Sequence, residues 1–270
     1  MTAPGSLGCV YFIGAGPGAP DLCTVRGKEV ITRADLMLYA DSLVHPGVLR
    51  WAKPGARVLG SAGLTLEEIV AEMSAVARTG GTVARVHSGD PSLYGALREQ
   101  LLCLEEEGIP WEIVPGVSSV FAAAAALGCE LTVPGVAQTV VLTRLARRTD
   151  GPSAGDLRAV PREGTTVVLF LSLTTVAEAV AELLAAGWPP STPAAVAHRV
   201  TWEDERCLRT TLSDLDVAVR REGWTRHGLI LVGPALDPGP GALAGTEPAQ
   251  ARSSLYDPAF SHLFRKGRRA

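Results

Sequence analysis

The sequence predicts an α/β protein built as two α/β domains, the first around a mainly parallel sheet and the second around a mixed one. Three observations carry that reading. From residue 9 onward, short apolar runs alternate with segments of helical periodicity, the pattern of a parallel sheet covered by helices on both faces. The chain is 270 residues long, which suits two domains of about 100 to 150 residues better than one. The pattern also breaks at Pro134 and Gly135 and then starts afresh. The predicted domains are therefore 8–134 and 135–236, with 237–270 as a Pro-, Gly- and Ala-rich linker and a basic tail.

In the first domain Cys9 to Ile13 reads as a strand, and Thr24 as the N-cap of a helix reaching about Arg33. Leu36 to Tyr39 and Arg57 to Leu59 read as the next two strands. Thr65 and Glu68 form a capping box, and Leu66, Ile69, Val70, Met73 and Val76 recur at helical spacing until Gly80 and Gly81 stop the helix. Thr82 to His87 is a strand, Tyr94 to Glu107 a helix closed by Gly108, Trp111 to Val114 a strand, and the alanine-rich 118–127 a helix. In the second domain Thr139 to Thr143, Thr166 to Leu171, Ala194 to His198, Arg206 to Thr211 and Leu229 to Val232 read as strands. Thr175 to Ala186 reads as a helix, and 150–164 as a loop with a short helix.

Composition narrows the function. Apolar residues make up 47% and charged ones 20%, the balance of a folded globular protein. A net charge of −3 argues against a general nucleic-acid binder. No run of about 18 uncharged apolar residues occurs, and residues 1 to 8 lack the start of a secretory signal, so the expectation is a cytoplasmic protein without membrane or nucleic-acid partners. The five cysteines are scattered, with no CxxC pair and no histidine at ligand spacing, so no metal is expected.

Three loops carry the chemistry. Gly14-Ala15-Gly16-Pro17-Gly18-Ala19-Pro20 follows the first strand and lets a ligand approach the backbone closely. It satisfies the loose dinucleotide pattern, and Asp41 falls near where a ribose carboxylate would stand, so an NAD(P)-dependent oxidoreductase is one reading. Pro17 and Pro20, however, postpone the helix to about Thr24, whereas a dinucleotide loop needs the helix to begin inside the glycine run. Ser88-Gly89-Asp90-Pro91-Ser92-Leu93-Tyr94-Gly95 and Pro115-Gly116-Val117-Ser118-Ser119 follow two further strands at the edge where open α/β sheets bind ligands. Asp90 suits ribose hydroxyls or an amine; simple helix capping is the alternative role for Asp90 and Ser118, and a cap before Pro46 the alternative for Asp41.

GAGPGxxxLxT from Gly14 to Thr24, YADSLV from Tyr39 to Val44, SGDPSLYG from Ser88 to Gly95 and VPGVSS from Val114 to Ser119 resemble, in order and spacing, the tetrapyrrole methylases. The resemblance runs from about Val10 to Leu236; YADSLV and the segment Leu255 to His262 are similar to the branch acting at C11 of precorrin-4 or cobalt-precorrin-4. The alternative within the same resemblance is another tetrapyrrole methylase, such as one acting on uroporphyrinogen III or on a precorrin at a different position. The resemblance implies a homodimer with S-adenosylmethionine folded in the cleft between the two domains. It implies cofactor contacts from Gly14, Gly16, Pro17, Gly18, Ser88, Gly89, Asp90, Tyr94, Ser118 and Ser119, with Leu171, Val200 and the backbone near Val232 from the later part of the chain. Leu171 stands where relatives often carry methionine. Tyr94 could equally pack as line a pocket.

Methyl transfer from a sulfonium to an electron-rich ring carbon uses an already activated reagent, so no covalent nucleophile is needed. Asp41 is the candidate for contacting the pyrrole nitrogens, and the only candidate catalytic side chain. A substrate rich in carboxylates calls for arginines: Arg144 and Arg147, with Arg148 beside them, are the first candidates, ahead of Arg98 and Arg199. His87, His198 and His227 sit at predicted strand edges and read as hydrogen-bonded structural residues.

Overall fold

The computed structural model describes residues 7–145, 154–236, 253 and 256–266. These fall into two compact units, one formed by the residues up to Ala122 together with Val200–Asp204, the other by Ala123–Arg199 and the residues from Glu205 onward.

The first unit begins with β1 (Val10–Gly14), α1 (Val25–Arg33), β2 (Leu36–Tyr39) and β3 (Arg57–Gly60), followed by α2 (Leu66–Arg78), β4 (Val83–His87), α3 (Leu97–Glu106), β5 (Trp111–Val114) and the start of α4 (Ser119–Leu127). Its five strands lie in the order β3-β2-β4-β1-β5 and every pairing is parallel. Strand alternation sends Val10, Phe12, Leu36, Leu38 and Val83 into a core with α2, and Ile13, Met37, Ala84 and Val86 into a second core with α1 on the opposite face. Both faces are covered, which is why these strands read as near-continuous apolar runs.

The predicted caps are present. Thr24 accepts the Gly27 amide ahead of α1, and both halves of the Thr65–Glu68 capping box are formed. One predicted helix is shortened. Tyr94 and Ala96 adopt left-handed backbone, φ 57° and 47°, so α3 starts at Leu97 and not at Tyr94. An α-helix cannot propagate through that conformation.

The second unit contains β6 (Ala137–Arg144), β7 (Gly164–Phe170), α5 (Val176–Ala185), β8 (Pro193–His198), β9 (Arg206–Thr211), α6 (Leu215–Glu222) and β10 (Gly228–Val232). The sheet order is β6-β7-β10-β8-β9, with β6 and β7 parallel and the other pairs antiparallel. The mixed sheet follows the sequence reading, whereas α6 was absent from it although Leu215, Val219 and the αL Gly223 mark a helix and its end. Val176, Ala179 and Leu183 of α5 and Leu215 and Val219 of α6 pack on Val167, Leu169, Val196 and Ile230 of the sheet. Because β10 is antiparallel to both β7 and β8, strands β6, β7 and β8 run the same way and end on one edge.

Candidate active site

In the first unit the three loops predicted to bind ligand meet at the carboxyl ends of β1, β4 and β5. Gly16 and Gly89 exchange backbone hydrogen bonds, at 3.2 Å from the Gly16 amide and 2.7 Å from the Gly89 amide. A Cβ on Gly14 would lie 2.5 Å from both the Gly116 Cα and the Gly89 carbonyl oxygen, and one on Gly116 only 2.1 Å from that oxygen. Glycine is therefore required at Gly14 and Gly116 by contact, and favoured at Gly16 and Gly89 by φ values of 82° and 63°.

Asp90 holds this meeting point together. Its Oδ2 accepts the Gly116 amide at 2.8 Å, while Oδ1 accepts both the amide and the hydroxyl of Ser92. Burial works to raise the Asp90 carboxyl, but the hydrogen bonds from Ser92 and Gly116 outweigh it and keep the group below the usual carboxylate range. Asp90 thus joins two loops in addition to any contact it offers a ligand. Ser118 is buried and caps α4, accepting from the Val120 amide at 3.4 Å, and Ser119 opens that helix. Ser88 is half-buried between His87 and Gly89.

Tyr94 is turned outward. It is 42% exposed and lines an open groove of about 690 Å³ with Pro91, Ser92, Gly95, Leu97 and Leu101. None of Gly14, Gly16, Gly18, Ser118 and Ser119 lines that groove, whereas Pro91, Ser92, Tyr94 and Gly95 belong to the second of the three loops.

Asp41 lies just past β2 at the same sheet edge. Its Oδ1 accepts the Ala62 amide at 2.8 Å, and a Cβ on Gly60 would fall 2.7 Å from its carboxyl carbon. The cap before Pro46 is His45, whose Nδ1 accepts from Gly47, so Asp41 does not serve as that cap. Beneath Asp41 lies a feature that the sequence reading missed: Arg85, 5% exposed, donates to Gln100 Oε1 and Ser61 Oγ at 3.0 Å each and points toward the Leu38 carbonyl. Burial lowers its guanidinium to about 10, partly countered by the negative charge of Asp41, so it stays protonated near neutrality. The signal was a cation in the middle of the buried strand VARVH. His87, two residues on, is buried and pushed down to about 3 by burial first and by Arg85 second, so its imidazole is neutral.

A second missed feature is the segment Val200–Asp204, which packs within the first unit. Thr201 Oγ1 accepts the Ala19 amide at 2.9 Å and Trp202 Nε1 donates to the Pro17 carbonyl at 3.2 Å. Val200 is buried there, as a side chain, while Pro17 is buried as well.

In the second unit Arg144 ends β6 opposite Phe170, and Leu171 follows at the end of β7, 59% exposed. Arg199 follows β8 on the same edge, its amide donating to the His227 carbonyl at 2.8 Å. Arg147 and Arg148 lie outside the described residues, as does Leu255 of the C-terminal motif. His198 stacks on Trp224 at 4.7 Å. Among the described residues no three His, Cys, Asp or Glu side chains gather to hold a metal, and no helix is long and apolar enough to cross a membrane.

Backbone strain marks the same places. Among the described residues the non-glycine positions with positive φ are Tyr94, Ala96, Leu171, Arg199, Thr201 and His227. All lie in loops at the carboxyl edge of β4, β7 or β8, His227 entering as the residue before Gly228, which pairs with His198. Such conformations cost roughly 1 to 3 kcal/mol each and concentrate at functional sites.

Residues 9–216 match the model of the tetrapyrrole (corrin/porphyrin) methylases. The cobalt-precorrin-4 C(11)-methyltransferase of Priestia megaterium is 48% identical over 258 residues, covering 96% of this chain and 98% of its own length. The precorrin-4 C(11)-methyltransferase of Pseudomonas aeruginosa is 46% identical, covering 96% and 99%. Among solved structures, a cobalt-precorrin-4 methyltransferase of cobalamin biosynthesis superposes with a TM-score of 0.80 at 49% identity, over 85% of this chain and 96% of that one. A uroporphyrin-III C-methyltransferase from Thermus thermophilus, in complex with S-adenosylhomocysteine, gives a TM-score of 0.69 at 29% identity, over 84% and 97%.

Proposed function

The chain belongs to the tetrapyrrole methylase family, and on that premise we propose that it transfers the methyl group of S-adenosylmethionine to C11 of precorrin-4, or of cobalt-precorrin-4, giving the precorrin-5 skeleton. The carrying observation is identity of 42% to 48% over 257 or 258 residues to enzymes named for this reaction, rather than to the family at large. A nicotinamide oxidoreductase is set aside, because the glycine-rich loop here belongs to the methylase family and its helix starts only after Thr24.

The meeting of the three loops of the first unit supports assigning them to the cofactor. Gly14, Gly89 and Gly116 bring bare backbone to one point, and a side chain on Gly14 or Gly116 would meet that backbone. S-adenosylmethionine supplies a methyl group already activated on sulfonium. The residues of this chain then bind, orient and exclude water. Gly14, Gly16, Pro17, Gly18, Ser88, Gly89, Asp90, Ser118 and Ser119 are assigned to the cofactor, with Tyr94, Leu171 and Val200 as outer contacts.

C11, the terminus of a conjugated enamine, forms the new carbon–carbon bond as the sulfur–methyl bond breaks. S-adenosylhomocysteine leaves and the macrocycle sheds a proton. Asp41 is assigned to the pyrrole N–H groups: Ala62 holds one carboxylate oxygen, and the second oxygen is the one assigned to the substrate. Arg144 and Arg147 are assigned to the peripheral carboxylates. Holding two reactants in attack geometry can supply about 7 to 11 kcal/mol, so positioning suffices without a covalent intermediate. The reading includes a homodimer, supported by the resemblance of the motifs.

Incubation with labelled S-adenosylmethionine and precorrin-4, with and without cobalt, followed by mass and NMR analysis, tests it. One methyl at C11 is expected, and the preferred metal state of the substrate selects between the two relatives' named reactions. Binding of S-adenosylhomocysteine with methylation elsewhere, or with none, overturns the C11 assignment.

A further inference from the structure

The side chain of Trp202 packs closely against the glycine-rich loop. A Cβ on Gly18 would lie 2.4 Å from Trp202 Cδ1 and 2.5 Å from Nε1, so the indole occupies the space that any larger residue at this position needs. The indole N–H reaches the carbonyl of Pro17, and the neighbouring Thr201 hydroxyl receives the amide of Ala19. Three successive loop residues, Pro17, Gly18 and Ala19, are therefore shaped by two adjacent residues far along the chain, 182 and 185 positions from their partners.

The indole is itself in contact with a second ring. His45 meets it edge-on, ring centroids 4.5 Å apart at 68°. The Nδ1 of His45 accepts the Gly47 amide, and its Nε2 lies 3.2 Å from the Glu203 carboxylate. A Cβ on Gly47 would meet Pro20 at 2.8 Å, closing the ring of contacts back onto the loop. Thr201 adopts φ 67°, a conformation that a β-branched residue keeps only where its surroundings impose it. Nothing in the transfer chemistry uses an indole or this imidazole.

We propose that Trp202, with Thr201, is a positioning residue for the S-adenosylmethionine loop: it fixes the backbone of Pro17, Gly18 and Ala19 in the shape that receives the cofactor, and His45 holds the indole in place. This rests on the cofactor assignment given above. The effect falls on cofactor binding rather than on the chemical step, because Trp202 acts through the loop.

The full-length protein, Trp202→Phe and Thr201→Val are compared by calorimetric titration with S-adenosylhomocysteine and by steady-state kinetics, with thermal melts as a fold check. Trp202→Phe keeps an aromatic ring on Gly18 and His45 but loses the N–H. The expected result is a rise of about tenfold in Kd for S-adenosylhomocysteine and in KM for S-adenosylmethionine, with kcat within about twofold, since one hydrogen bond is lost. Thr201→Val, which loses the acceptor for Ala19, is expected to move the same constants in the same direction and gives an independent reading if the first variant melts early. Gly18→Ala is expected to weaken binding strongly in the wild-type background and less in Trp202→Ala, where the clash with the indole is gone and only the Thr201 hydroxyl, 2.8 Å from the added Cβ, has to give way. Folded Trp202→Phe and Thr201→Val proteins with unchanged cofactor constants overturn the proposal alone. A wild-type protein that binds no S-adenosylhomocysteine overturns the functional reading and the proposal with it.

Discussion

The carboxylate of Asp90 receives the amide of Gly116 at 2.8 Å, joining two loops 26 residues apart in the chain. Replacing it by Ala strands that amide and the Ser92 amide together. Hydrogen bonds to a charged group are worth about 1.5 to 3 kcal/mol, so Asp90→Ala is expected to weaken S-adenosylhomocysteine binding by one to two orders of magnitude and to lower the melting temperature. Asp90→Asn keeps one acceptor oxygen and should fall between. Titration calorimetry and a thermal melt check both; an Asp90→Ala protein with wild-type affinity would show that loop closure is set elsewhere.

The glycines of the first unit differ sharply in what they tolerate. A Cβ at Gly116 would lie 2.1 Å from the Gly89 carbonyl oxygen, a backbone atom, and the Cβ, fixed on its own Cα, has no rotation that relieves the clash. A Cβ at Gly63, by contrast, would meet nothing within 4 Å, and that residue has no unusual φ. Gly116→Ala is expected to abolish measurable methyl transfer and destabilise the first unit, whereas Gly63→Ala should leave activity unchanged. Activity assays on the pair, alongside far-ultraviolet circular dichroism, decide it.

His87 makes the stability depend on pH in a predictable direction. In the unfolded chain its imidazole titrates near the ordinary 6.5, and in the folded protein burial and Arg85 push it down to about 3. Between those values the unfolded chain binds a proton that the folded one does not. Stability is therefore highest above about pH 6.5 and falls as the pH drops through this window, by at most about 1.4 kcal/mol per unit from this group. Urea denaturation from pH 7 to pH 4 is expected to show the decline, and His87→Gln should flatten it. An equal slope in both proteins would place its origin in other groups.

How far the sequence reached depended on whether the cause was local. Strands Leu36–Tyr39 and Trp111–Val114 stand where their short runs put them and Arg206–Thr211 where its alternation did, and Thr65 and Glu68 cap α2 as their spacing requires. The glycine-rich loops were legible for the same reason, since a Gly-Pro-rich turn after a strand is a local signature. Tyr94 and Ala96 misled the reading because their left-handed backbone is imposed by the loop around them, while the residues themselves are compatible with a helix. Trp202 was illegible: its partner Pro17 stands 185 positions away, and no periodicity links the two. Arg85 announced itself only as a charge in an apolar strand, and its contacts with Gln100 and Ser61 emerge from two other parts of the chain.

Asp41 and Arg85 together frame the last prediction. Arg85 is buried and bound to Ser61, next to Gly60, whose missing side chain makes room for the Asp41 carboxylate. Ala62 holds one oxygen of that carboxylate, so its orientation is fixed before substrate arrives. If Asp41 meets the pyrrole N–H groups, Asp41→Asn removes the charge while keeping the shape and the bond from Ala62. The expected result is a loss of about ten- to hundredfold in kcat/KM for the tetrapyrrole, the magnitude of one charged hydrogen bond, with S-adenosylhomocysteine affinity within about twofold of wild type. Arg85→Leu should be worse for folding than for binding, because it leaves Gln100 and Ser61 without their buried donor. Parallel kinetics on Asp41→Asn and melts on Arg85→Leu separate the two roles; equal losses of cofactor and tetrapyrrole binding in Asp41→Asn would mean that Asp41 shapes the loop edge as a whole rather than the tetrapyrrole contact.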